Sequence, residues 1–270
     1  MCKPRLILIC TMLIQITGLL SCSKKQMVSD MVSDPEFTYQ TLTSKTLLVA
    51  GVSSTIGGHE FDYEQAMQRG AFLNSALRDK APFCRIAEQS EYQSRLGEPL
   101  AETTMRLYHD KGGLPAKNLH ELQGVIGDQD VYLIVGNLYN TRGSNEYHFD
   151  NKDSTTQTAR LVMETIRRVW GKFNVYDISR ESLVWSGTLT DAAAESNEYV
   201  THWNPSGKDE IDNDGGGGFL GSLFDAIFGG DDDSDSKPVY EYPDPPPFEK
   251  VANKVLVEFA RYMPPKPEDD

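Results

Sequence analysis

The sequence predicts an α/β fold, an α+β sandwich in which helices pack on a mixed sheet and a disordered insertion interrupts the chain. Two continuous apolar runs, at 46–52 and 130–139, are typical of buried strands. Residues 158–178 and 183–189 are rich in β-forming side chains, and the polar turn between them indicates a hairpin. The element order that follows is β-α-β-α-α-β-β-β-α.

A helix is predicted after the first strand, because apolar residues recur there at three- and four-residue spacing. Asp62 is a candidate N-cap, and Ala81-Pro82 ends the helix. The stripe consists of Ala66, Gly70, Leu73 and Leu77.

A second strand is predicted at 83–88, followed by two short helices within 92–108, where Gly97 and Pro99 break the pattern. Leu119, Leu122 and Ile126 share one face of a further helix over 116–126. These segments are expected to cover the sheet.

The strand at 130–139 contains Gly136, which indicates a bulge or a close backbone contact. Residues 142–145 have the composition of a turn and are expected to end this part of the sheet. An amphipathic helix at 248–262 closes the domain, with Val251, Val255, Leu256 and Phe259 on its apolar face.

The first residues have the pattern of a signal peptide. Lys3 and Arg5 precede an apolar core at 6–20, which is too short to remain as a membrane-spanning helix. The core ends in Leu19-Leu20-Ser21 and then Cys22. This ending resembles the bacterial lipobox, which implies that residues 1–21 are removed and that Cys22 carries fatty acyl chains such as palmitate. The alternative is an ordinary secretory signal that is cut elsewhere.

Two or three acyl chains on Cys22 would make membrane attachment stable, since a single chain binds only marginally. In lipoproteins of this kind the residue after the cysteine directs sorting, and Ser23 implies the outer membrane, facing the periplasm. Residues 22–44, with the repeat Met-Val-Ser-Asp, are interpreted as a flexible tether.

The formal net charge of -14 disfavours nucleic-acid binding, because phosphate repels an acidic chain. Part of this charge lies in an acidic tail at 264–270. Cys84 is the one cysteine that is neither removed with the leader nor lipidated, so no disulfide within the chain is expected. Its apolar surroundings predict a buried, unreactive thiol.

A Gly-, Asp- and Pro-rich insertion at 204–247 contains a short apolar helix between glycines. Two interpretations remain open: the helix docks on a partner or the membrane interface, or it folds back onto its own domain. Residues 240–247 are interpreted as an extended proline-rich linker. The contact residues of the helix are Phe219, Leu220, Leu223, Phe224, Ile227 and Phe228.

The domain at 45–203 plus 248–263 resembles the superfamily of the curli secretion lipoprotein CsgG, the penicillin-binding-protein activator LpoB and the TolB N-terminal domain. The strongest match is 125–136, where a helix leads through a turn into a strand that ends in glycine, and the hairpin at 173–187 also fits. The resemblance implies an α/β domain that serves an envelope assembly. The other matching segments are 47–52, 70–77, 83–88 and 248–262.

The sequence offers no recognisable catalytic or cofactor motif, and neither a cofactor nor a metal is predicted. The histidines lack zinc-binding spacing, and His59-Glu60 with Asp62 is interpreted as loop and cap residues. Residues 210–215 resemble the start of a calcium loop, but Gly221 stands where the loop needs a bidentate Glu. The histidines are His59, His109, His120, His148 and His202.

These observations predict a non-catalytic, lipid-anchored lipoprotein that binds another cell-envelope protein or supports its assembly. The alternative is a subunit of an oligomeric secretion pore of the curli type. Arg167-Arg168 lies in the middle of the predicted hairpin and would be costly against lipid, which argues against the pore. An oligomer is compatible with both functions.

Overall fold

The computed structural model describes residues 28–55, 60–127, 130–152, 157–203, 240–265 and 267, without the side chains of 150–159 and 201–203. This part of the chain contains six strands and six helices, which confirms the predicted mixed α/β class. The strands are β1 (Ser29–Ser33), β2 (Thr46–Thr55), β3 (Arg85–Ile86), β4 (Val131–Lys152), β5 (Gln157–Asp177) and β6 (Ser182–Trp203). The helices are α1 (Tyr39–Ser44), α2 (Tyr63–Lys80), α3 (Gln89–Leu96), α4 (Glu98–Lys111), α5 (Ala116–Ile126) and α6 (Phe248–Arg261).

One mixed sheet holds all six strands in the order β1-β6-β5-β4-β2-β3. β2 is parallel to both β3 and β4, as expected for strands joined by helical crossovers. β1 is antiparallel to β6. The pairing of β2 with β4 runs from Thr46 opposite Val131 to Thr55 opposite Tyr139, with one irregularity between Val49 and Gly51.

The predicted tether is wrong for residues 29–44. β1 extends the sheet beside β6, and α1 begins at a capping box formed by Thr38 and Thr41. Leu42 is fully buried, and the ring of Phe37 meets that of Tyr132 edge-on at 5.4 Å. The strand could not be predicted from the sequence, because every residue of β1 is exposed and shows no apolar alternation. Its partner strand β6 is also distant in sequence.

The strand predicted at 130–139 and the second strand of the predicted hairpin are much longer than expected. β4 and β6 each have 22 residues and β5 has 21, so the predicted turn at 142–145 lies inside β4. The predicted strand at 83–88 is reduced to the two residues of β3. Between β3 and β4 the structure has three helices, which match the two short helices predicted within 92–108 and the helix predicted at 116–126, although the predicted element order counted only two.

The chain divides into two compact units, and the boundary falls within the long strands. The first unit comprises the described residues within 1–139, 170–191 and 252–270, and the second comprises those within 140–169 and 192–251. The predicted single domain at 45–203 plus 248–263 is therefore divided between two units.

The first unit holds a core between helices and the sheet. The stripe predicted for α2 is buried, and Asp62 caps the helix by accepting a hydrogen bond from the backbone N–H of Gln65 at 2.9 Å. α5 buries its predicted face, and the fully buried Tyr92, Tyr108 and Leu122 complete the cluster. Burial raises the pKa of the nearby free Cys84 thiol to about 11, as expected for an unreactive cysteine.

A second set of aromatic contacts in this unit involves α6. Phe259 stacks on Phe173 with 4.4 Å between ring centroids and meets Trp185 edge-on at 5.3 Å. Phe173 also lies over Gly136, where an added Cβ would approach its ring to 2.7 Å. The close contact predicted for Gly136 is therefore confirmed, and it lets a large ring lie against the sheet.

Candidate interaction surface

Most of the site residues predicted from the sequence lie outside the described residues. This is true of the lipidation residue Cys22, of the lipobox residues Leu19, Leu20 and Ser21, and of the insertion residues 204–239. The apolar segment among them, whose docking or folding back was left open, is Phe219, Leu220, Leu223, Phe224, Ile227 and Phe228.

The second unit contains a three-stranded sheet made by residues 140–152 of β4, 157–169 of β5 and 192–203 of β6, here called the outer sheet. Side chains alternate between its two faces, as in any strand. Residues 240–251 contact one face, which we call the covered face. The described side chains of the opposite face, which we call the open face, are exposed or half-buried.

The covered face is held by the proline-rich residues 240–247. Asn197 and Tyr199 both donate hydrogen bonds to the backbone carbonyl of Glu241, at 3.1 and 3.2 Å. The rings of Tyr199 and Tyr240 meet edge-on at 4.9 Å, and Tyr242 donates to Glu146 at 3.4 Å. The segment, predicted as a linker, forms neither helix nor strand and packs along the sheet.

Arg167 lies on the covered face, on the middle strand of the outer sheet, and is only 5% exposed. Its guanidinium donates to the backbone carbonyl of Pro246 and, at 3.0 Å, to the side-chain oxygen of Asn140. Burial and the neighbouring charge of Arg142 lower the pKa of Arg167. Arg168 is exposed, as the alternation of a strand requires.

The open face carries aromatic side chains near the tip of the β4–β5 hairpin. Tyr147 is 42% exposed and Phe149 is 51% exposed, and their rings stack at 6.4 Å. The guanidinium of Arg160 lies 5.4 Å from the ring centroid of Phe149 and pairs with Glu198 at 2.7 Å. Large exposed apolar side chains that cluster on one face indicate an interaction site.

A buried ion-pair cluster in the first unit joins the N-terminal segment to the β5–β6 turn. The Asp177 side chain is 2% exposed and accepts hydrogen bonds from Lys45 and Ser179, both at 2.7 Å. Arg180 donates to Asp177 and Asp34, each at 3.1 Å, and pairs with Glu36. This cluster positions the segment 34–45 and is structural.

The cluster shifts the pKa of both partners of its central pair. Burial by itself would raise the pKa of Asp177, but the hydrogen bonds from Lys45 and Ser179 and the charge of Lys45 lower it. Burial likewise opposes the charge on Lys45, but Asp177 raises the pKa of that ammonium group. The pair is therefore ionised at neutral pH.

Histidine and acidic residues do not converge within the described part of the chain. No group of three or more His, Cys, Asp or Glu residues there is arranged to hold a metal ion. His120 pairs with Glu181 at 2.8 Å, which raises its pKa, and His148 pairs with Glu146 at 3.0 Å. Both histidines lie on the surface, and their pairs are typical of exposed side chains.

A shallow groove lies in the first unit between α2 and α6. Phe72 and Val257 are its apolar lining residues, and its charged ones are Asp191, Lys254, Glu258 and Arg261. Arg261 pairs with Glu258 at 2.9 Å. Among the described residues, no helix combines the length and the apolar character that crossing a membrane requires.

No protein-family model matches the chain, and no curated protein does. Among solved structures, it is similar to the lipoprotein GNA1162 of Neisseria meningitidis, at 14% identity over 68% of this chain and 94% of that one, with a TM-score of 0.28. It is also similar to the PelC dodecamer of Paraburkholderia phytofirmans, at 14% identity, 62% and 81% coverage and a TM-score of 0.27.

A third similar structure is a putative neuraminyllactose-binding hemagglutinin homolog of Helicobacter pylori. Its identity is 11% over 83% of this chain and 87% of that one, with a TM-score of 0.25. TM-scores this low do not carry an argument about function. The likeness of the sequence to the CsgG, LpoB and TolB superfamily therefore remains a resemblance only.

Proposed function

We propose that this chain is a non-catalytic lipoprotein, anchored through Cys22 to the outer membrane and facing the periplasm, that binds another cell-envelope protein or supports its assembly. The leader and its Leu-Leu-Ser-Cys ending carry the anchoring part of the proposal. The open face of the outer sheet supports the binding part.

The open face is suited to binding a protein because it combines apolar area with charged groups that are already paired. Tyr147 and Phe149 offer aromatic surface with few rotatable bonds, which is typical of energetic centres in interfaces. Glu164 accepts hydrogen bonds from both Asn145 and Tyr147, at 3.1 and 3.2 Å, so these side chains are held in place before a partner arrives.

The length of β4, β5 and β6 favours the alternative hypothesis of a secretion pore. The charges on the open face argue against it. Arg160, Glu164 and Glu198 lie on that face, and an Arg facing lipid costs about 2 to 4 kcal/mol at the middle of a membrane. The covered face is occupied by residues 240–247. A pore predicts ion conductance when the purified protein is added to a lipid bilayer, whereas the proposed lipoprotein produces none.

Replacing Cys22 with alanine tests the anchor. We expect the wild-type protein to sediment with outer membranes and the Cys22→Ala variant to be released or to accumulate as uncleaved precursor, because the acylated thiol is gone. Cell fractionation and the mass of the N-terminal peptide measure both effects. Cys84→Ala is the matched control and should stay in the membrane fraction. A Cys22→Ala protein that is cleaved normally and stays firmly membrane-bound would refute the lipid anchor.

A further inference from the structure

Residues 140–152 of β4 form a strand edge that lacks a neighbour. β2 pairs with β4 only as far as Tyr139, and no other described strand adjoins β4 on that side beyond this point. A long unpaired edge presents backbone N–H and C=O groups that can pair with another strand. Neither proline nor an inward-pointing charge interrupts this edge within residues 140–149, where the charged side chains are exposed.

An unmatched charge lies on the same edge. Arg142 is exposed, forms no ion pair with a described carboxylate, and lies near enough to Arg167 for the two like charges to interact unfavourably. Glu146, four residues further along β4, is on the same face of the sheet and is also exposed. The midpoint between these two residues is Ser144.

We propose that this edge pairs with the same edge of a second copy of the chain, antiparallel and with Ser144 on the two-fold axis. Arg142 of each copy then lies opposite Glu146 of the other, which gives two cross-strand ion pairs. The ladder joins residues 140–148 of both copies, beginning directly where β2 ends. The same edge meets itself, as a two-fold interface requires.

Neighbouring registers are less favourable. An axis at Asn145 places Arg142 opposite His148 and leaves Glu146 without a basic partner. An axis at Glu146 lengthens the ladder to 140–152 but puts Glu146 opposite itself, and like charges directly opposite each other destabilise a strand pair. The register about Ser144 is the one that matches both charges. It also sets the open faces of the two copies side by side.

A cysteine on the axis tests this pairing in the full-length protein in its own membrane. Residues directly opposite each other in an antiparallel ladder have Cα atoms about 4.5 to 5.5 Å apart, within the range of a disulfide. We therefore expect Ser144→Cys to form a covalent dimer on mild oxidation of cells, seen on a non-reducing gel. The parent chain, whose Cys84 is buried, should form no covalent dimer and run as a monomer on the same gel.

Ser196→Cys, at an equally exposed position on β6, is the matched control and should not cross-link, either with itself or with Ser144→Cys on another copy. Charge reversal tests the register: Arg142→Glu or Glu146→Arg should each lower the yield of Ser144→Cys dimer roughly tenfold, and the double reversal should restore it. Absence of the Ser144→Cys dimer, cross-linking between positions 144 and 196, or single reversals without effect would overturn the proposal.

Discussion

Asp177→Asn should lower the free energy of unfolding by about 3 kcal/mol or more, because it leaves the Lys45 ammonium partly buried without its counter-charge. The substitution keeps the size and shape of the side chain, so the loss reports the charge. Chemical denaturation of the purified protein, followed by circular dichroism, measures it. The Asp177 carboxylate is only 2% exposed and lies 2.7 Å from Lys45, so solvent screens the pair weakly.

Asp130→Asn is the matched control, because Asp130 also faces Lys45, at 3.5 Å, but its side chain is 64% exposed. We expect this change to cost less than about 1 kcal/mol, as is usual for exposed ion pairs. Equal losses in the two variants would show that burial of Asp177 does not decide the strength of this cluster.

The same pair gives the wild-type protein a defined response to acid. The pKa of Asp177 is lower in the folded protein than in the unfolded chain. Its ionisation therefore contributes fully to the free energy of unfolding above the unfolded Asp pKa of about 3.9, and this contribution is lost as the pH falls through the pKa of the folded state. The pKa of Lys45 is raised in the folded protein, so its effect appears at alkaline pH. There the contribution of Lys45 to stability is lost as the pH rises through the pKa of the folded state. Asp177→Asn should therefore flatten the acid limb of the stability curve.

Phe259→Ala should destabilise the first unit by about 3 to 5 kcal/mol, because it removes a fully buried ring and leaves a cavity. The loss includes the stacking on Phe173 and the edge contact with Trp185. Urea denaturation measures the free energy, and near-ultraviolet circular dichroism should show that the aromatic environment has changed.

Val257→Ala, on the same helix, is the control for Phe259. Val257 is partly exposed and lines the shallow groove, so its truncation should cost less than about 1 kcal/mol. If Phe259→Ala were no more destabilising than Val257→Ala, the packing of α6 against the sheet would not be an important source of stability.

The helices were predictable from local patterns. Asp62 and Ala81 bound α2 as their capping and Ala81-Pro82 signals indicated, and its apolar stripe is buried. α6 likewise buries Val251, Val255, Leu256 and Phe259. These elements follow from spacing and caps because each buries one face against a single neighbour. The β5–β6 turn was predictable for a similar reason, since polar residues separate two β-forming runs.

The outer sheet was predictable only in β5, which lies in the β-forming run 158–178, because its segments of β4 and β6 lack the alternation that marks a half-buried strand. Residues 141–149 of β4 are exposed on both faces apart from the half-buried Asn145, and Gly143 and Ser144 suggested a turn. Residues 193–200 of β6 are polar or small, apart from Tyr199 and Val200. These segments of β4 and β6 are strands because they pair with β5, and such long-range pairing cannot be deduced from a local sequence pattern.

The contacts that hold the ion-pair cluster and the covered face together join residues far apart in sequence. Lys45 and Asp177 are separated by 132 positions, and Arg167 meets Pro246 across 79. No spacing rule connects such residues. The sequence did contain one useful signal, since Arg167 inside an otherwise β-forming run indicates either a solvent-facing position or a specific buried partner.

Site-specific photo-cross-linking in intact cells tests the proposed binding role most directly. With the photoreactive residue in place of Phe149 or Val200 on the outer sheet, we expect a cross-link to the same envelope protein from both positions. A photoreactive residue in place of Val125, which is similarly exposed in the first unit, should not capture that protein. Capture from Val125 alone, or from none of the three positions, would contradict an account in which the outer sheet binds an envelope partner.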